Sequence, residues 1–145
     1  MSYTQYIGRQ IDVLAYRGAD TTGPGDVLLT MAIANEVDGG QITTGIQKLA
    51  QDFLIELFTM TGTVACEPTR GCSFMYDAVR GVWRTTTDVF ASFAAALIDI
   101  ENTFAAVELA NAELQDDEKY ASAEMTAVTL TPTEASVTIK LTSQA

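Results

Sequence analysis

Histidine is missing altogether from this sequence of 145 residues, and that absence excludes more chemistry than any other feature of the composition. No Ser-His-Asp or Cys-His catalytic arrangement can be built, no imidazole can ligate a metal, and no side chain has an ordinary pKa near neutrality. Basic residues are scarce as well: 8 Lys and Arg against 19 Asp and Glu leave a net charge of −11. A chain of that sign repels a phosphate backbone at long range and its few cations form no stripe, so no nucleic-acid partner is expected. Cysteine is limited to Cys66 and Cys72. Their spacing fits neither a CxxC redox pair nor half of a zinc site, so free thiols are expected, with no metal and no cofactor. No apolar run approaches the roughly 20 residues that cross a bilayer, and the opening stretch lacks the apolar centre of a signal peptide. The expectation is synthesis in a reducing cytoplasm with no membrane segment.

What is present is a globular composition. Hydrophobic residues make up 48% and charged residues 19% of the chain, which is too apolar for a disordered acidic tail. A chain of this size forms one domain and buries roughly 70% of the surface its unfolded form exposes.

Read along the chain, Ile11 to Tyr16 suggests a short strand, and the turn-rich stretch Arg17 to Asp26 suggests a loop. Val27 to Ala34 is apolar but too short to settle between strand and helix. Thr44 followed by Gln47 has the spacing of a capping box. From there Ile46, Leu49, Ala50, Phe53, Leu54 and Leu57 recur every three or four residues, and Gly62 could supply a left-handed stop. The first main helix is therefore expected over about 45–60. Residues 63–84 show no sustained period and are expected as an irregular connection with at most one short strand, long enough to suggest a partner surface.

Thr85-x-x-Asp88 marks a second helix start, and no Gly or Pro interrupts the chain from Thr85 to Ala121. A helix over about 86–119 is expected. Phe90, Phe93, Leu97, Ile100, Phe104, Val107, Asn111 and Leu114 alternate steps of three and four, the spacing of a heptad seam. Either its first turns cover the core and the rest is solvated, or its C-terminal half, with Phe104, Val107, Asn111 and Leu114, packs on a partner helix. Two further runs, Met125 to Leu130 and Ser136 to Thr142, flank Thr131-Pro-Thr-Glu134 and read as a hairpin, with Val137, Ile139 and Leu141 on one face. Because an isolated ribbon is only marginally stable, it is expected to join a sheet made by the N-terminal strand or by another chain. The fold class is α+β: two main helices on a small mixed or antiparallel sheet with a C-terminal hairpin.

Most candidate chemistry fails at this level. Asp20-Thr-Thr-Gly-Pro-Gly-Asp26 looks like the DTxGxGD signature of ribokinase-like sugar kinases. That fold needs a much longer chain with the motif towards its C-terminal part, so a Gly/Pro turn is the better reading. A carboxylate pair could hydrolyse a glycosidic bond, but 19 acids make some suitable pair inevitable by chance and nothing singles one out. Asp116-Asp117-Glu118 lacks the spaced ligands of a calcium loop. Arg70, Arg80 and Arg84 could dock an acidic partner or pair within the chain, in particular with the second helix. Trp83 is either an interface anchor or a core residue.

From Gly45 the sequence runs through Gln51, Leu57, Thr59 and Gly62 to Pro68 and Gly71. This order of a glycine before a helix, a helical Gln, Leu-x-Thr-x-x-Gly, and a loop with Pro and Gly resembles the baseplate wedge protein family of contractile phage tails. That family is named for a lysozyme-like domain and occurs also in type VI secretion baseplates. The resemblance covers roughly residues 25–142 and leaves 1–24 unmatched. It implies a virion structural protein of the tail baseplate, assembled in the host cytoplasm, with no catalytic step. Its partners would be the tail sheath protein and the larger baseplate wedge subunits, with tube or hub-adaptor proteins as further neighbours. Sheath contact would fall on the hairpin, at Val128, Leu130, Val137, Ile139 and Leu141, where strands are accepted and sheath assembly starts. Wedge subunits would pack on the helical seam. The alternative is a small lysozyme-type glycosidase of a phage tail.

The charge is uneven. Residues 1–98 hold 10 acids and 6 bases, and residues 99–145 hold 9 acids and 2 bases, so a basic partner surface would meet the C-terminal third.

Overall fold

A computed structural model describes residues 9–10, 12–13, 16–18, 29–31 and 42–145. Four short strands come first, β1 (Asp12–Val13), β2 (Tyr16–Gly18), β3 (Leu29–Met31) and β4 (Ile42–Thr43). They pair antiparallel as β1 with β4 and β2 with β3. The strand option thus holds at Leu29–Met31, while the Asp20 to Asp26 turn lies outside the described residues. Helix α1 (Gly45–Phe58) and helix α3 (Thr86–Ala110) are joined by a connection that contains the short helix α2 (Phe74–Val79), and α3 is followed by a 3-10 turn, Asp116–Glu118. The chain closes with β5 (Tyr120–Leu130) and β6 (Ala135–Ser143), paired as an antiparallel hairpin. The architecture is α+β.

The core explains why these pieces hold together. Leu49, Phe53 and Leu57 from α1 meet Phe74 from α2, Val89, Phe93, Ala96, Ile100 and Phe104 from α3, and Tyr120 and Met125 from β5, all buried. Within it the rings form a continuous path. Trp83 lies 4.7 Å from Phe74, Phe74 6.1 Å from Phe93, Phe93 6.4 Å from Phe53, Phe53 6.4 Å from Tyr120, and Tyr120 5.3 Å from Phe104. Each tilted or offset pair adds about 0.5–1.5 kcal/mol beyond the area it buries, so the path ties three helices and a strand into one unit. Trp83 is half-buried, and its indole N–H donates to Ser92 Oγ at 3.1 Å, which donates to Asp77 at 2.8 Å. It belongs to the core edge.

Four expectations change. The irregular connection contains α2, whose Phe74 is drawn into the core. Helix α3 ends at Ala110 rather than near 119: Asn111 caps it, its side-chain amide donating to Val107 O at 2.9 Å, and short polar side chains that bond their own backbone stop helices. Phe104 and Leu114, expected to meet a partner helix, are 7% and 8% exposed, so they are spent on the chain's own packing. Finally α3 is long and apolar enough to cross a membrane by length and composition. Its buried Phe93, Ala96, Ile100 and Phe104 line one face against the rest of the domain, as in the core helix of a packed domain.

The hairpin also differs in its support. β5 begins five residues earlier than its apolar run, at Tyr120, because that ring stacks in the core. The N-terminal strands pair with one another, and among the described residues no third strand joins β5 and β6. The hairpin is held instead by the helices: Ala123, Val128, Leu130, Val137, Ile139 and Leu141 pack against the core, while Thr138, Lys140 and Thr142 face out.

Candidate functional site: the hairpin edges and the outer face of the long helix

The seven residues that carry the family resemblance fall into two joints and a scaffold. At the first joint, Gly45 opens α1 with φ +62, and a Cβ there would come within 2.7 Å of Asp117 Oδ2. Thr44 makes no side-chain cap, so the expected Thr44/Gln47 box does not form. The Glu118 carboxylate takes that place: Gly45 N–H donates to Oε1 and Gln10 N–H to Oε2, both at 3.3 Å, and the negative group sits where the helix dipole favours it. Arg9 donates to Asp117 at 2.7 Å beside it, and this bond raises the guanidinium pKa.

At the second joint, Cys72 N–H donates to Thr59 O at 2.9 Å, and Gly71, with φ +90, has no room for a Cβ, which would lie 2.3 Å from that same carbonyl. Thr59 Oγ1 donates to Ile55 O at 2.6 Å and finishes α1. Gly62 adopts φ +87 in the turn beyond it, four residues past the helix end rather than at it. Leu57 is fully buried, Gln51 is buried and engaged, and Pro68 is exposed.

Cys66 is exposed and Cys72 buried, both free thiols, and burial pushes the Cys72 thiol up in pKa. Among the described residues no group of three or more acidic or thiol side chains could hold a metal ion. The arginines pair elsewhere than expected. Arg70 binds Glu56 of α1 at 2.6 Å, Arg80 sits 4.5 Å over the Tyr76 ring, and only Arg84 meets the long helix, where its backbone N–H donates to Asp88 at 3.1 Å. The Asp88 carboxyl is held below the usual carboxylate range by the Thr85 hydroxyl and by backbone donors. That is the opposite of what a general acid of a glycosidase requires.

Two surfaces remain open. The hairpin side chains expected to meet sheath, Val128, Leu130, Val137, Ile139 and Leu141, are partly buried against the core, and the strand edges are the more open part of the hairpin. The hairpin runs 11 residues in β5 and 9 in β6, long enough to template a further strand. Helix α3 exposes Phe90, Ile98, Val107 and Leu109 by 41%, 63%, 39% and 88%. Of the expected seam Phe90, Val107 and Asn111 stay on the surface, and Ile98 and Leu109, which the seam omits, are the more exposed apolar groups. Ile98 and Leu109 are eleven residues apart, about three turns, and share the side of the helix away from the buried Phe93, Ala96 and Ile100. Comparison with protein-family models, with curated proteins and with solved structures finds no match.

Proposed function

We propose that this chain is a structural component of a contractile tail baseplate wedge, which starts sheath assembly by accepting strands at its C-terminal hairpin and packs on larger wedge subunits through α3. The observation that carries this reading is the hairpin itself: among the described residues its strands have no other strand beside them, while its inner face is fixed on the core. A preformed ribbon with free main-chain donors and acceptors gains affinity from an added strand with little ordering cost. The exposed Ile98 and Leu109 on α3 supply a second, helical contact. No catalytic step is involved, and the place of action is the virion baseplate.

A proline scan through Thr138, Ile139, Lys140 and Leu141 tests the strand claim. Along an outer strand alternate amides face the open side, so half of these variants keep the hairpin ladder, and those that also keep the melting temperature are the ones to read. Those stable variants should fail to co-assemble with sheath protein; normal sheath rings from all of them would overturn the proposal. Replacing Ile98 and Leu109 with Lys should block wedge formation with a stability change within about 0.5 kcal/mol, as for other exposed sites.

A further inference from the structure

One buried group is only half used by the fold. Glu56, near the end of α1, is 4% exposed, and Arg70 Nε donates to its Oε1 at 2.6 Å. Its Oε2, shut off from solvent, meets no donor among the described residues. A buried carboxylate oxygen is stable only when donors replace the water it has lost.

Glu56 lines a groove of about 610 Å³ that runs between the 67–70 loop and α3. Glu67 and Asp99 add two more carboxylates, and Arg70 is the single cation in the lining. Beyond Asp99 the α3 wall interleaves Asn102, Thr103 and Asn111 with Ala106, Val107 and Ala110. Carboxylates at one end and a wall that mixes amide and hydroxyl groups with small apolar side chains match an arginine, whose planar fork binds carboxylates while its stem lies on apolar surface. Arg70, with 39% of its side chain exposed, covers the Glu56 carboxylate, and it also approaches Glu67 at 3.9 Å.

We propose that this groove receives an arginine side chain from a partner protein, which donates to Glu56 Oε2 as Arg70 shifts towards Glu67. The inference rests on the assembly reading in taking the partner to be a protein chain, and it adds to the contact at Ile98 and Leu109 a basic segment that docks where Val107 and Asn111 border the groove. The net charge of −7 carried by residues 99–145, from 9 acids and 2 bases, attracts such a segment before contact.

The test titrates the full chain with Nα-acetyl-arginine amide and with its lysine and norleucine analogues, followed through the amide signals of Asp99, Thr103 and Ala106. Saturable shifts are expected with arginine, binding about tenfold weaker with lysine, and none with norleucine. Glu56→Gln should raise the arginine dissociation constant about tenfold, and Arg70→Met, which frees both carboxylate oxygens, should lower it. Should Glu56→Gln fail to fold, Asp99→Asn at an exposed position should still raise the constant about threefold. No saturable shift, an equal response to norleucine, or an arginine affinity indifferent to these substitutions overturns the inference. Failure of strand addition would show in the proline scan and not here.

Discussion

The two main helices begin in opposite ways. α3 is started by its own residues: Thr85 Oγ1 accepts from Asp88 N–H at 3.3 Å, and the Asp88 carboxylate accepts from Thr85 N–H at 2.7 Å, a complete capping box within four residues. α1 is started from 73 residues away, by Glu118 on the 3-10 turn, with Gly45 bent into a left-handed conformation to let it approach. A local cap forms whenever its helix forms, whereas the remote cap exists only once the C-terminal segment has docked. The start of α1 is therefore a report on the whole fold, and the start of α3 is a report on itself.

Substitutions at the remote start should do the most damage. Gly45→Ala forces a side chain into a left-handed position and against Asp117, with an expected loss of about 3 kcal/mol in denaturant unfolding. Glu118→Ala leaves the amides of Gly45 and Gln10 without acceptors and should cost about 2 kcal/mol. If either loss is confined to α1 amides in hydrogen exchange, the claim that this cap couples the two ends of the domain is wrong.

Tyr120 follows two residues after Glu118 and tests the same docked segment by pH. Burial first, and then the neighbouring Glu101 carboxylate, push its hydroxyl up to about 12 from an ordinary 10.0. A folded pKa above the unfolded one means stability that is fully present below pH 10.0 and lost as the pH rises towards about 12. Ultraviolet titration should show one tyrosine ionising late, and Tyr120→Phe should flatten the alkaline loss of stability.

The local start should be milder. Thr85→Ala removes the cap and should cost about 1 kcal/mol, while Thr44→Ala, whose hydroxyl caps nothing, should stay within about 0.5 kcal/mol. Asp88 has the opposite sign to Tyr120. Its folded pKa lies below the ordinary 3.8, so its contribution is present above that pH and is lost as the pH falls through the folded value. The melting-temperature difference between the native chain and Asp88→Asn should therefore shrink on acidification below 3.8.

What was legible in the residues follows the same division. The Thr85/Asp88 box, the Leu49, Phe53 and Leu57 stripe of α1 and the alternation of Val137, Ile139 and Leu141 are local patterns, and each appears where the spacing puts it, while Ile46 of the same α1 stripe is 44% exposed. The α+β class follows from them. The Thr44/Gln47 spacing is equally good on paper and fails because a carboxylate from the far end of the chain occupies the site. Ending α3 at Asn111 could have been read from that residue's habit of bonding its own backbone, but the good helix formers Ala112, Glu113, Leu114 and Gln115 after it argue for continuation. Phe104 and Leu114 look like a seam because a core-facing stripe and a partner-facing stripe have nearly the same period; only the position of Tyr120 and the turn decides which it is. The half-used carboxylate of Glu56 has no sequence signal at all, since it depends on a loop and a helix meeting in space.

The central claim is that the hairpin is a finished ribbon waiting for another strand. Amide hydrogen exchange across Thr138 to Thr142, measured on the free chain and again after sheath protein is added, tests it most directly. The expected result is an alternating pattern in the free chain, slow inner amides and fast outer ones, with the fast set protected once sheath protein binds. Outer amides that exchange at the same rate with and without sheath protein would contradict it.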